Sequence, residues 1–176
     1  DIQPQEFYTR LQKATVMATT SQVTIANFKE IFSKLAEEGK EILAVLISAK
    51  LSGTIDSAVQ AREMLPGVKI EIVDSETTAM ALGFQVLTVA RAAESGASLA
   101  ECKALAEKAK QHVGVVFAVD TLEFLHRGGR IGGGARFLGT ALQLKPILEV
   151  TGGRVEAIER VRTRSKSLQR VVEIIE

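Results

Sequence analysis

Leu51-Ser52-Gly53-Thr54 places two hydroxyls and a bare backbone position within four residues. The group stands where a strand should give way to a helix. Before it, Ile42-Leu43-Ala44-Val45-Leu46-Ile47 is a short, continuous, branched apolar run, the pattern of a buried strand. After it, Ile55, Ala58, Val59 and Leu65 recur at helical spacing, which predicts a helix over Ile55–Leu65. Ser52, Gly53 and Thr54 thus fall at a helix N-terminus on the carboxyl edge of a sheet, where open α/β sheets bind ligands. Unpaired amides and the positive end of the helix dipole favour an anion there. The two hydroxyls add donors, and Gly53 lets a ligand approach the backbone. Ser and Thr are also ordinary N-caps, and taken alone these residues read first as a cap.

A second hydroxyl-rich stretch, Thr19-Thr20-Ser21-Gln22, precedes another helical pattern, Ile25, Phe28, Ile31, Phe32 and Leu35. Here too a cap is the alternative, with Thr24 the local candidate. Two such helix starts in one small α/β domain could face a single carboxylate or phosphate.

Few other residues offer chemistry. Cys102 is the sole cysteine, so there is no disulfide framework and no cysteine-based metal cluster, and its helical setting between Leu99 and Leu105 reads as core. His112 and His126 match no metal-ligand spacing. A serine hydrolase using Ser52 as nucleophile would need an oriented base, and the Gly-x-Ser-x-Gly elbow is absent around Ser52. The run Gly128-Gly129-Arg130-Ile131-Gly132-Gly133-Gly134 lacks the Gly-Lys-Ser/Thr ending of a phosphate loop and the spacing of a dinucleotide fingerprint. It reads as a mobile or tightly turned loop between domains.

The elements that must position these residues alternate. Helices are predicted over Glu6–Ala14, Ile25–Leu35, Ile55–Leu65, Met80–Ala93 and Leu99–His112, with strands Ile42–Ile47, Lys69–Val73 and Val113–Val119. Ser98 and Glu101 form a capping-box pattern before the fifth helix, and Glu94-Ser95-Gly96 stops the fourth. Alternation of this kind implies a parallel sheet flanked by helices. After Val119 the grammar changes to a short turn at Thr121–Leu125, the glycine run, an apolar stretch Phe137–Leu142, a hairpin of 146–150 and 154–158 about Thr151-Gly152-Gly153, and a helix Ser165–Ile175. The fold class is α/β: a first domain over 1–113, then a second, smaller α/β domain over 114–176.

With 176 residues and 46% hydrophobic content the chain has ample material for a core. A formal net charge of +1 argues against a general nucleic-acid binder. Residues 1–113 carry −2 and residues 114–176 carry +3, the excess being mostly arginine, which suits carboxylate, phosphate or a charged partner surface. No long apolar span suggests stable membrane insertion, and a cytoplasmic setting is expected.

Together the motifs resemble the DegV family of bacterial lipid-binding proteins. They are Thr20-Ser21-Gln22, Ile47-Ser48 with Leu51-Ser52-Gly53-Thr54 and Ser57-Ala58, Val73-Asp74-Ser75 with Gly83, Thr121-Leu122-Glu123-Phe124-Leu125, Gly128-Gly129-Arg130-Ile131, and Leu144-Lys145-Pro146-Ile147-Leu148. The resemblance implies two α/β domains with a long-chain fatty acid buried in or near their junction. It implies that Thr20 and Ser52 hydrogen-bond the carboxylate, with Ser21, Gly53 and Thr54 as further contacts. It implies no cofactor, no catalytic residue and no metal, but a carrier that presents the acid to a fatty acid kinase for acyl phosphate formation in phospholipid synthesis. An arginine of the second domain serves the kinase step, and among Arg160, Arg162 and Arg164 the choice here is Arg162. Wall candidates, each of which reads first as plain core, are Phe84, Phe117, Phe124, Phe137, Leu138 and Ile147. Val23 stands where the family usually has proline, and Ala49 where a second serine is common. The family's opening strand and closing strands have no counterpart in the sequence, which predicts a fragment with an incomplete pocket. The alternatives are a binder of phosphate or a sugar phosphate, or the serine hydrolase.

Overall fold

The computed structural model describes residues 2–138 and 144–176. In chain order the elements are helices Pro4–Lys13 (α1) and Ile25–Glu37 (α2), strand Ile42–Leu46 (β1), helix Thr54–Glu63 (α3), strand Ile70–Asp74 (β2), helices Ala79–Glu94 (α4) and Leu99–Ala109 (α5), strand Val115–Ala118 (β3), helix Glu123–Arg127 (α6), strands Lys145–Thr151 (β4) and Arg154–Val161 (β5), and helix Arg164–Ile175 (α7).

Strands β1 and β2 pair in parallel, Ile42 opposite Ile70 and Leu46 opposite Asp74. Successive side chains of a strand point to opposite faces, and both faces of this pair are covered. Ile42, Ala44, Leu46, Ile70 and Ile72 meet Phe28 and Phe32 of α2 and Ala58 and Ala61 of α3. On the other side Leu43, Val45 and Val73 meet Val89 of α4 and Cys102 and Ala106 of α5. Packing on both faces is why β1 is apolar at every position rather than at alternate ones.

The remaining strands form an antiparallel sheet in the order β3-β4-β5. Val115 faces Val150, and Thr151 faces Arg154. Two residues close the β4–β5 hairpin, Gly152 and Gly153, with φ of +53° and +78°. Two-residue turns of this hand need positive φ at both positions, and glycine adopts it without a steric penalty. Inward residues Leu148, Val155 and Ala157 pack with Leu122 and Ile131, joined by Phe117, Leu125 and Phe137. Helix α7 packs on the same sheet, its Arg164 Nη1 donating to the Ala118 carbonyl at 3.1 Å and its Arg170 Nε meeting Glu159 at 2.6 Å.

The glycine run differs from the expected loop. Residues Gly132–Phe137 wind into a 3₁₀ helix packed against β5. The reason is space. A Cβ on Gly132 would stand 2.2 Å from the Val155 carbonyl oxygen, and one on Gly133 would strike the Glu156 carboxylate. Of the apolar stretch Phe137–Leu142, residues 139–142 lie outside the described residues. Among the wall candidates, Ile147 is fully buried, whereas Phe84 stands exposed on α4.

The capping box forms as the local sequence demands. The Glu101 amide donates to Ser98 Oγ at 3.3 Å, and the Ser98 amide donates to Glu101 Oε2 at 2.8 Å. The Ser98 hydroxyl and amide hold the Glu101 carboxyl below the usual carboxylate range. A carboxyl whose pKa is lowered by folding stabilises the fold above its unfolded value, and the gain is lost as pH falls through the folded value. The melting-temperature difference between wild type and Glu101→Gln should therefore be small but present near neutral pH and vanish as the solution is acidified through the carboxylate range. A difference that grows on acidification contradicts this assignment.

Candidate functional site

Strands β1 and β2 end side by side, and the site is built on the loops that leave them. The β1 loop is held by the β2 loop. Asp74 Oδ2 accepts from the Ala49 amide at 3.3 Å and Asp74 Oδ1 from the Glu76 amide at 2.8 Å. The Ser48 amide donates to the Thr77 carbonyl at 3.0 Å. Beneath them Gln85, fully buried, donates through Nε2 to the Ser75 carbonyl at 3.1 Å. Glu76 and Ala79 hold φ near +53° and +52°, a left-handed conformation that non-glycine residues adopt only when the surroundings impose it.

The loop then delivers Ser52 and Thr54 to the start of α3. Their hydroxyl oxygens lie 2.8 Å apart, and Ser52 Oγ also accepts from the Thr54 amide at 3.3 Å. A hydroxyl pair has two protons and uses one between its oxygens. The second proton is left to donate outward. The amides of Ile55 and Asp56, in the first turn of α3, have no partner within the helix. The helix start thus offers unpaired amides, a spare hydroxyl proton and the positive end of the helix dipole. Gly53 is the N-cap residue and makes no side-chain cap, so the cap reading of this segment accounts only for the Ser52–Thr54 bond.

The start of α2 is arranged differently from the expectation. Thr24 is the N-cap, its Oγ1 accepting from the Asn27 amide at 3.2 Å. Thr20 and Ser21 lie upstream in exposed, non-helical chain, four and three positions before that cap. Their hydroxyls are not spent on the helix start. The structure brings this segment to the α3 start through Gln22, whose amide lies over Gly53 at the place a Cβ would occupy.

The electrostatics favour an anion. Beside Leu51 a hollow of about 190 Å³ is lined by Lys50, Arg130 and Arg154 with no acidic side chain. Arg130 Nε donates to the Leu51 carbonyl at 3.0 Å. Sequence reasoning put Arg130 in a motif but gave it no role. Its signal was the glycine pair before it, which turns the chain so that the guanidinium reaches back to the loop. Arg162 lies elsewhere, exposed just past β5, at the opposite end of the strand from the Gly152-Gly153 turn. Seven residue steps at roughly 3.3 Å each separate Val161 from Arg154 along that strand, about 23 Å. Among the described residues, no histidine hydrogen-bonds Ser52, no group of three or more His, Cys, Asp or Glu side chains could hold a metal ion, and no helix is long and apolar enough to cross a membrane.

Gly53→Ala tests the contact between the two helix starts. The backbone at Gly53, with φ of −74°, accepts alanine, but the new Cβ would stand 2.9 Å from Gln22 Nε2. Gln22 is flexible and exposed, so a stability change within about 0.5 kcal/mol is expected. The Gln22 side-chain amide resonances should shift in a proton–nitrogen NMR spectrum. Unshifted resonances would place Gln22 away from Gly53.

Known proteins are similar to this chain in sequence and fold. A DegV domain-containing protein of Clostridium perfringens is 37% identical over 179 residues, covering 99% of this chain and 63% of the relative. A DegV family protein of Thermus thermophilus, whose structure is described as fatty acid binding, superposes with a TM-score of 0.90 at 38% identity, over 99% of this chain and 62% of that one. A DegV lipid-binding protein of Thermotoga maritima superposes with a TM-score of 0.81 at 28% identity, over 97% and 60%. The chain thus spans less than two thirds of the relatives it matches. The profile of the DegV family, described as uncharacterised proteins, matches residues 1–176. This chain belongs to the DegV family.

Proposed function

We propose that this chain binds a long-chain fatty acid, with the carboxylate held by Thr20 and Ser52 and assisted by Ser21, Gly53 and Thr54. The observation that carries the reading is the Ser52–Thr54 hydroxyl pair at an open helix start, with Gln22 bringing the Thr20 segment over Gly53. The description of the Thermus thermophilus relative as fatty acid binding supports the choice of ligand. On this reading the protein is a bacterial cytoplasmic carrier and not a catalyst. Its two units, 1–113 and 114–176, meet near the site, and the acid is presented to a fatty acid kinase. Arg162 is the proposed contact for the kinase step, as the family resemblance implies, and it is exposed.

A second reading, a phosphate or sugar phosphate on the same donors, is favoured by the hollow lined by Lys50, Arg130 and Arg154. Acyl length separates the two. A lipid site gains up to about 0.8 kcal/mol per buried methylene, whereas a phosphate site gains nothing.

Ser52→Ala removes a hydroxyl that bonds a charged group, worth roughly 1.5–3 kcal/mol. Isothermal titration with a long-chain acid should show affinity reduced at least about tenfold while the circular dichroism spectrum is retained. Wild-type affinity would remove Ser52 from the carboxylate site. Arg162→Ala should leave that titration unchanged and slow acyl phosphate formation by the kinase; weakened binding instead would move Arg162 into the pocket.

A further inference from the structure

Ser48 is fully buried, and the anion chemistry makes no use of its side chain. All its polar functions are nonetheless engaged. Its amide donates to the Thr77 carbonyl at 3.0 Å, and its carbonyl accepts from the amides of Leu51 at 3.0 Å and Ser52 at 3.1 Å. Its hydroxyl donates to the Gly153 carbonyl at 2.7 Å, across 105 positions of sequence, and accepts from the Lys50 amide at 3.2 Å. One residue therefore joins three segments: the loop that carries Ser52, the turn after β2, and the tip of the β4–β5 hairpin. The tip is seated closely, for a Cβ on Gly153 would stand 2.6 Å from Ser48 Oγ. The same loop is gripped twice more from the second sheet. Arg130 Nε holds the Leu51 carbonyl, and the Leu51 side chain packs on the cluster of Leu122, Ile131, Leu148 and Val155.

We propose that Ser48 is the positioning residue of the carboxylate site, and that it sets the site from the hairpin turn. The Gly153 carbonyl fixes the direction of the Ser48 hydroxyl. That hydroxyl, by accepting from the Lys50 amide, closes the loop whose next residues are Leu51 and Ser52. The proposal rests on the carboxylate reading above. Its physical basis is that a buried hydroxyl used as both donor and acceptor has no free rotation, so its two partners share one geometry. Removing it leaves the buried Gly153 carbonyl without its hydroxyl donor and takes the acceptor from the Lys50 amide, so the loop is no longer tied to the hairpin tip. Displaced donors at a preorganised site lose affinity even when every ligand-contacting residue is present.

The test titrates wild type, Ser48→Ala, Gly153→Ala, Gly152→Ala and Ser52→Ala with a series of fatty acids of increasing acyl length. Gly153→Ala leaves charge unchanged and pushes a methyl group against the Ser48 hydroxyl; because it also strains a backbone with φ of +78°, it is read against Gly152→Ala, which carries the same kind of strain at φ of +53° with open space at its Cβ. Ser48→Ala and Gly153→Ala should each lower affinity about tenfold at every acyl length, with the gain per methylene unchanged. A merely structural role would move the melting temperature but not the affinity, or would flatten the gain per methylene as the acyl wall loosens. Either result overturns the proposal. Should Ser48→Ala fail to fold, Gly153→Ala and Gly152→Ala decide together: a uniform loss in the first and not the second supports the proposal, and wild-type affinity in the first, or an equal loss in both, overturns it. Ser52→Ala separates the layers. If it loses affinity while Ser48→Ala and Gly153→Ala bind normally, the positioning role falls and the carboxylate reading stands. If it binds normally, the carboxylate reading falls and the positioning role with it.

Discussion

Everything at the Ser52 end of the molecule hangs from the parallel pairing of β1 with β2. That pairing is short, five residues a side. It survives because helices cover both of its faces, α2 and α3 on one and α4 and α5 on the other. Burial leaves the strand ends as the place where polar backbone must find new partners. The loops after Leu46 and Asp74 solve this mutually, through Asp74 to the Ala49 amide and Ser48 to the Thr77 carbonyl. The Ser52 loop is thus tied to the end of the sheet.

The second sheet holds the Ser52 loop from the other side. Its hairpin turn presents two carbonyls, Gly152 to the Lys50 ammonium at 2.6 Å and Gly153 to the Ser48 hydroxyl at 2.7 Å. Both glycines owe their identity to positive φ, and Gly153 also to the absence of a Cβ beside Ser48. The turn thus closes a hairpin and docks it with the same two residues. A cation-lined hollow results where the two parts touch, because Lys50 comes from one side and Arg130 and Arg154 from the other.

What was legible in the sequence was local. The Ser98–Glu101 capping box, the Thr24 cap, the helices at their hydrophobic periods and the Gly152-Gly153 hairpin each depend on residues within a few positions of one another. The glycine run reads as a loop from the sequence because its demand for glycine comes from β5, more than twenty positions away, where the Val155 carbonyl and Glu156 carboxylate crowd the Cβ positions. The hydroxyl-rich stretch with Thr20 reads as a helix start, but the helix begins only after Thr24, and Gln22 of the intervening chain lies over Gly53.

By itself the sequence determined the family, the alternation of helix and strand, and the hydroxyl chemistry at the α3 start. Those are properties of residue type and short-range spacing, which survive without knowing where the chain goes. Only the tertiary structure decided that Ser48 is a junction rather than a filler, that Arg130 reaches the Ser52 loop, and that Arg162 stands at the far end of its strand. These depend on contacts between residues scores of positions apart, and no local period carries information about such a partner. The physical reason is that burial makes each polar group seek a partner, and the packing of the two sheets determines which one is within reach.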